Sequence, residues 1–290
     1  MGNFIPWDSQ PLELWSEKYA EGKQINVNGH LTHFIEKGAG SPVLMIHGFF
    51  LDSQMWAPNI DELAEHFRVL AMDLWGFGYS SREPMDYSYQ LFADQVLGFM
   101  DALGIERASI VGQSMGGGTA MLFCIQHRKR VDKLVLVDAA GMPGDLPLTA
   151  KFLAFSGLGK FVMGLKTNAI RKKNLADFWI HRRENLTDEY FEKTTRFHKV
   201  EGTGEAMHSM LRKKIFYTLG EEIPKLAAMD VPILLVWGAE DKSVPLETGR
   251  KIHTLLPASH LEVFERAGHV PNYEEADRFN RLAVEFPKQT

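Results

Sequence analysis

The segment GQSMG at residues 112–116 places a serine between two glycines in the order G-x-S-x-G. A β-branched run precedes Ser114 and an apolar helical pattern follows it. In a strand-to-helix turn of this kind the serine hydroxyl stands above the sheet edge, and Gly112 and Gly116 allow the strand and the helix to approach closely. This setting predicts that Ser114 is a nucleophile.

A serine hydroxyl attacks carbon only when a base accepts its proton and an acid orients that base. His269 follows the last apolar strand and precedes a helix, which predicts a place at the carboxyl edge of the sheet, where open α/β sheets bind ligands. Asp241 also follows an apolar strand and is the predicted acid. Asp138, at the end of LVLVD, is the competing candidate.

Two backbone N–H groups are expected to form an oxyanion hole, the pair of donors that stabilises the negative oxygen of the intermediate. Met115, directly after the nucleophile, supplies one. The loop after VLMIHG supplies the other, and we predict that it is the N–H of Phe49, with Gly48 giving the backbone room. His47 is expected to pack beneath this loop.

Short apolar runs alternate with amphipathic segments along most of the chain. The first two runs read as a hairpin with Asn28-Gly29 at its turn, and several later runs are continuously apolar, as buried parallel strands are. Helical patterns cover 58–66, 88–103, 115–127, 246–256 and 273–286. The alternation predicts an α/β fold with a mostly parallel sheet and helices on both faces.

The alternation stops between residues 141 and 220, where the sequence is helical in character. This segment carries 14 Lys and Arg against 8 Asp and Glu, so it is basic within an acidic chain. We predict a helical cap over 141–220, inserted into a core formed by 1–140 and 221–290. The basic character is compatible with an anionic substrate or a membrane surface, although solvated helix faces account for it more simply.

Composition excludes several classes of protein. The formal net charge of -5 disfavours a nucleic-acid partner, and no apolar run is long enough to cross a bilayer. With one cysteine, Cys124, and an N-terminus without a secretory pattern, the expected location is the cytoplasm. Nucleotide-binding loops, H-E-x-x-H and paired cysteines are absent from the sequence, so no cofactor and no metal are expected.

Five segments together resemble the α/β-hydrolase superfamily over nearly the whole chain: His47-Gly48-Phe49, residues 73–80, GQSMGG, GAEDKSVP and AGHVPNYE. The order Ser114, Asp241, His269 matches the order of the catalytic residues in that fold. The resemblance is to the serine-nucleophile branch with a helical cap, similar to carboxylesterases. Haloalkane dehalogenases and epoxide hydrolases carry aspartate at the nucleophile position, so the resemblance disfavours both.

The carbon–carbon hydrolases that cleave meta-fission products also use a serine and a comparable cap. Those enzymes usually have Ser-Gly-Pro-Gly after His-Gly, an asparagine before the serine and a tryptophan after the histidine. This chain has Phe49-Phe50, Gln113 and Val270 at the same places. The departures make carbon–carbon hydrolysis the alternative prediction.

The main prediction is therefore a serine esterase that cleaves a small ester with an apolar acyl group through an acyl-enzyme. A ligand receptor built on the same scaffold is a weaker alternative, and the sequence does not determine the oligomeric state. The residues expected to contact the substrate are Phe50, Gln113, Phe152, Phe155, Trp179, Met207, Val244 and Val270.

Overall fold

The computed structural model describes residues 4–144, 165 and 167–286. After a short helix α1 (Leu12–Tyr19), the chain forms a hairpin of β1 (Lys23–Val27) and β2 (His30–Lys37). Asn28 and Gly29 both have positive φ, at 53° and 91°, which suits the tight two-residue turn predicted there.

This hairpin is part of the single sheet of eight strands that the described residues form. Its remaining strands are β3 (Pro42–Ile46), β4 (Arg68–Met72), β5 (Ala108–Gln113), β6 (Val131–Val137), β7 (Ile233–Gly238) and β8 (His260–Phe264). The spatial order is β1-β2-β4-β3-β5-β6-β7-β8, in which β2 pairs antiparallel with β1 and β4 and the other neighbours are parallel. The carboxyl ends of the parallel strands therefore share one edge.

Helices cover both faces of the sheet, as predicted. Apolar residues of α3 (Tyr89–Ala102), α4 (Met115–Gln126) and α8 (Leu246–Leu255) belong to the core cluster on one face. Those of α2 (Ala57–Ala64) and α10 (Ala276–Glu285) belong to the cluster on the other face. The sheet needs this double cover because β3 to β7 are apolar on both sides.

Between β6 and β7 the described residues form three α-helices, α5 (Ala169–Asn174), α6 (Asp188–Thr195) and α7 (Thr203–Arg212), besides shorter π- and 3-10-helical turns. Met207, Met210 and Leu211 of α7 pack into the core cluster that contains α3 and α4. The predicted boundaries of a cap at 141 and 220 stay a prediction. In the described part of the chain, no helix combines the length and apolarity that a bilayer crossing requires.

Candidate active site

Ser114 occupies the turn between β5 and α4. Its φ is +51°, a strained value for a residue with a side chain, and two backbone bonds hold it: its N–H donates to Val137 at 2.8 Å and its carbonyl accepts from Ala140 at 2.9 Å. A Cβ at position 116 would lie 2.3 Å from the carbonyl oxygen of Ile46. Glycine is therefore required there for α4 to start this close to β3.

A continuous chain of hydrogen bonds links Ser114 to two residues that lie far from it in sequence. His269 Nε2 is 3.0 Å from Ser114 Oγ, and His269 Nδ1 is 2.7 Å from Asp241 Oδ2. All three residues are at least nine-tenths buried. Asp241 Oδ1 accepts the N–H groups of Ser243 and Val244, and these two bonds hold the carboxylate in place beside the imidazole.

Asp138, the competing candidate for the acid, lies beside Asp241, but one of its carboxyl oxygens bonds to a backbone group. Its Oδ1 accepts the N–H of Gly238 at 2.9 Å. One polar atom each of Asp138, Asp241 and His269 falls within 4.8 Å of the others, a donor set that also suits a metal ion. Hydrogen bonds already occupy both Asp241 oxygens and both ring nitrogens of His269.

The loop of residues 47–51 lies directly against the nucleophile. A Cβ on Gly48 would be 2.1 Å from Gln113 Oε1 and 3.0 Å from Ser114 Cβ, so only glycine fits. Phe49 follows and is buried. Met115 is the first residue of α4, where an N–H has no acceptor within the helix.

His47 and Asp73 hold this loop from below. His47 is fully buried, and its Nε2 accepts the N–H of Leu74 at 2.9 Å, so it packs under the loop as predicted. Asp73 accepts the N–H groups of Ser53 and Tyr79 and bonds to His33 Nδ1 at 2.7 Å. Residues 73–80 therefore serve the structure of this corner.

Gln113 also reaches the His269 segment. Its amide Nε2 donates to the carbonyl oxygen of His269 at 2.7 Å, and its Oε1 is buried without a hydrogen-bond partner among the described residues. The side chain therefore ties β5 to the loop that carries His269. A contact between Gln113 and substrate stays a prediction.

The carboxyl group of Glu274 organises the other side of the His269 loop. It accepts the N–H of Gly268 at 2.7 Å, of His181 at 3.2 Å and of Arg182 at 2.7 Å. Burial raises the pKa of Glu274 against the opposing effect of these bonds. The inserted segment and the His269 loop are thus joined through one side chain.

Aromatic rings of the segment between β6 and β7 contact His269 and the loop of residues 47–51. The Trp179 ring lies 5.4 Å from the His269 ring, and the Trp179 carbonyl accepts the His269 N–H at 2.7 Å. The Phe50 ring contacts Trp179 at 6.0 Å and His198 at 5.6 Å. Phe49 contacts Phe216 at 5.0 Å. These contacts place aromatic surface beside His269 and along the loop of residues 47–51.

The remaining predicted contact residues have varied places. Met207, in α7, is buried in the core cluster on one face of the sheet, and Val270 is buried in the cluster on the opposite face. Val244 is half-buried near Asp241. Phe152 and Phe155 lie outside the described residues, so their predicted role as pocket walls stays a prediction.

Sequence reasoning did not identify Glu274, Arg182 or His198. Glu274 lies five residues after His269, at the end of the short helix Pro271–Glu274. Its closeness to His269 in sequence was the available signal. Arg182 and His198 belong to the insertion, whose residues meet the site only through the tertiary fold. The basic character of residues 141–220 was a signal for a cation such as Arg182, whereas the sequence offered none for His198.

Known proteins resemble this chain over most of its length. A family model described as alpha/beta hydrolase fold matches residues 41–276. The chain is 33% identical to 2-hydroxymuconate semialdehyde hydrolase of Pseudomonas sp. (strain CF600), covering 91% of this chain and 93% of that one.

Solved structures give the same result. The meta-cleavage product hydrolase from Pseudomonas fluorescens IP01 superimposes with a TM-score of 0.80 at 33% identity, covering 91% of this chain and 97% of that one. A thermophilic esterase from Thermogutta terrifontis superimposes with a TM-score of 0.77 at 25% identity, covering 92% and 99%.

Proposed function

Because this chain belongs to the alpha/beta hydrolase fold family, we propose that it is a serine hydrolase that cleaves a carbon–carbon bond beside a carbonyl group in an acidic, conjugated substrate. The observation that carries the proposal is the hydrogen-bond chain from Ser114 through His269 to Asp241, at 3.0 and 2.7 Å. The relatives at 33% identity, one named for 2-hydroxymuconate semialdehyde, support the substrate class. This reverses the order of the two hydrolase predictions made from sequence.

In the proposed reaction Ser114 Oγ adds to the carbonyl carbon while His269 Nε2 accepts its proton. Asp241 keeps the proton of His269 on Nδ1 and stabilises the positive charge that the ring acquires. The N–H groups of Phe49 and Met115 donate to the carbonyl oxygen as it becomes negative.

The carbon–carbon bond then breaks. Its electron pair passes into the conjugated part of the substrate, which takes up the proton that His269 accepted from Ser114, and the acyl group stays on Ser114. A water molecule that has lost a proton to His269 adds to the acyl carbon and releases a carboxylic acid and free Ser114.

The insertion supplies a cation suited to an acidic substrate. Arg182 Nε is a buried donor for which the described residues supply no acceptor, although Nη2 of the same side chain donates to the Glu274 carbonyl. We assign Arg182 to the substrate carboxylate. A bidentate guanidinium matches a carboxylate in geometry and in charge.

The test compares two substrate classes on wild type and Ser114→Ala. We expect wild type to consume 2-hydroxymuconate semialdehyde at least tenfold faster, in kcat/KM, than any p-nitrophenyl ester from acetate to dodecanoate, and Ser114→Ala to lose both activities. Loss of substrate absorbance and release of p-nitrophenol are the readouts. If Ser114→Ala turned over 2-hydroxymuconate semialdehyde as fast as wild type does, the serine mechanism would be contradicted.

Ester hydrolysis is the second candidate, and one observation favours it. The chain departs from the residues that carbon–carbon hydrolases usually have at three places, which here hold Phe49-Phe50, Gln113 and Val270. Phe49 and Phe50 also add apolar surface beside the serine. If wild type turns over the p-nitrophenyl esters faster than 2-hydroxymuconate semialdehyde, the chain is an esterase with the same Ser114 chemistry.

A further inference from the structure

Asp138 stands directly behind the acid of the triad, at the end of β6. It is fully buried, and its φ of +44° is a left-handed value that aspartate tolerates better than most residues. Its own N–H donates to Val236 at 3.0 Å, and its Oδ1 accepts from Gly238 at 2.9 Å. These two bonds hold the carboxyl group in one orientation.

The other oxygen, Oδ2, is buried and has no donor among the described residues. One carboxyl oxygen of Asp138 lies within 4.8 Å of a carboxyl oxygen of Asp241 and of a ring nitrogen of His269. The Asp241 carboxylate can accept a further hydrogen bond, because each carboxylate oxygen has two lone pairs. Two ionised carboxylates this close in a dry interior repel each other, so one of them retains a proton.

Electrostatics identifies which one. Burial, followed by the charge of Asp241, raises the pKa of Asp138 well above its ordinary value. The groups that face Asp138 are Asp241, His269 and, farther away, Glu274. Asp241 instead accepts hydrogen bonds from His269 and from two backbone N–H groups.

We propose that Asp138 is a positioning residue that stays protonated and donates its carboxyl hydrogen to the Asp241 carboxylate. The inference rests on the proposed function for its catalytic meaning. In that reaction the neutral donor fixes Asp241 toward His269 without adding a second negative charge to the site. Asp138 itself touches neither the substrate nor Ser114 Oγ.

The first test measures stability and needs no substrate. A buried carboxyl that stays protonated destabilises the fold as pH rises above the pKa of the unfolded chain, about 3.9, because only the unfolded state then releases the proton. Asp138→Asn cannot ionise and keeps a donor and an acceptor. The unfolding constant of wild type divided by that of Asp138→Asn should therefore rise about tenfold per pH unit from pH 5 to pH 7.

Urea unfolding of the full chain at pH 5, 6 and 7 gives this ratio, with the exposed Asp230→Asn as the matched control. The control ratio should stay flat. Infrared difference spectra at pH 7 should show the carbonyl stretch of a protonated carboxyl in wild type that Asp138→Asn lacks. A flat ratio for Asp138→Asn, without that band, would overturn the proposal.

The second test concerns positioning. Asp138→Gly removes the donor while keeping the left-handed backbone free of strain. We expect it to slow fluorophosphonate labelling of Ser114 by roughly ten- to hundredfold, since hydrogen bonds to charged groups are worth that much, and Asp138→Asn to restore most of the rate. Equal slowing in both variants would contradict the role of the donor. If wild type itself is not labelled, the proposed function fails, whereas the stability and infrared results still decide the protonation of Asp138.

Discussion

Arg182 is the residue to which we assign the substrate carboxylate, in a site whose Ser114, His269 and Asp241 suit several reactions. Its guanidinium meets the Glu274 carbonyl with Nη2 and leaves a buried Nε without an acceptor in the described structure. A buried donor left unpaired costs free energy. A substrate carboxylate would remove that cost on binding, and a neutral ester would not.

We therefore expect Arg182→Gln to raise KM for 2-hydroxymuconate semialdehyde by roughly ten- to hundredfold, the range for a charge-assisted hydrogen bond, with little change for p-nitrophenyl esters. The neighbouring Arg183→Gln is the control, because its side chain is 68% exposed and pairs with Asp177. Steady-state kinetics on both substrates measures the effect. A parallel rise of KM for the neutral esters would refute the assignment.

At the scale of elements, the site depends on contacts between the inserted segment and the loop at 47–51. Phe50 has a φ of +66°, a strained value for a bulky side chain. His198, from a turn preceding α7, bonds to the Phe50 carbonyl with Nε2 at 3.0 Å. Burial, reinforced by the charge of Arg171, lowers the pKa of His198 to about 3, so the ring is neutral and Nε2–H is the donor.

His198→Ala should release Phe50, disturb the adjacent N–H of Phe49 and lower kcat by up to about a hundredfold, since an error of 1 Å in alignment can cost that much. His198→Gln keeps an amide donor at similar reach and should recover most of kcat. Kinetics and melting temperature are measured for both variants. If the two lose kcat equally, the bond to Phe50 does not position the oxyanion hole.

One predicted element differs from the structure. The sequence predicts a continuous helix over 273–286, but the chain forms α9 (Pro271–Glu274) and α10 with a break at Glu275, whose φ of -128° is not helical. The Glu274 carboxyl accepts three N–H groups from the His269 loop and the insertion. The break coincides with these tertiary bonds, which a local periodicity cannot register.

At the scale of the whole molecule, a buried ion pair links the hairpin to the rest of the sheet. His33 Nδ1 meets Asp73 at 2.7 Å and Nε2 meets the Glu21 carbonyl at 2.9 Å, so a protonated ring satisfies both acceptors. Burial alone lowers the pKa of His33, but Asp73 and the Glu21 carbonyl outweigh it and the pKa is raised. Burial by itself would raise the pKa of Asp73. The charge of His33 and its hydrogen bond outweigh that effect, so the pKa of Asp73 is lowered.

A histidine whose pKa is raised by folding stabilises the fold fully below its unfolded pKa of about 6.5 and loses that contribution as pH rises through the folded value. The stability advantage of wild type over His33→Gln should therefore be larger at pH 5.5 than at pH 9. Chemical unfolding at both values measures it, with the exposed His66→Gln as control. An advantage that does not change with pH would show that His33 is not charged in the fold.

The amino-acid sequence by itself determined the fold class, because buried parallel strands and amphipathic helices follow from local patterns of apolar residues and glycines. It also predicted the serine, the histidine and two candidate aspartates that follow strands, since motif order can be read along the chain. The family and the fold predicted on these grounds are confirmed.

The tertiary structure alone decided which carboxyl meets His269. Asp138 and Asp241 both follow strands, and only the paths of two loops direct Asp241 to Nδ1 and Asp138 to Gly238. It also decided that Arg182 bonds to the Glu274 carbonyl and His198 to the Phe50 carbonyl. Contacts between distant segments depend on where folded loops end in space, and no local pattern of residues encodes that position.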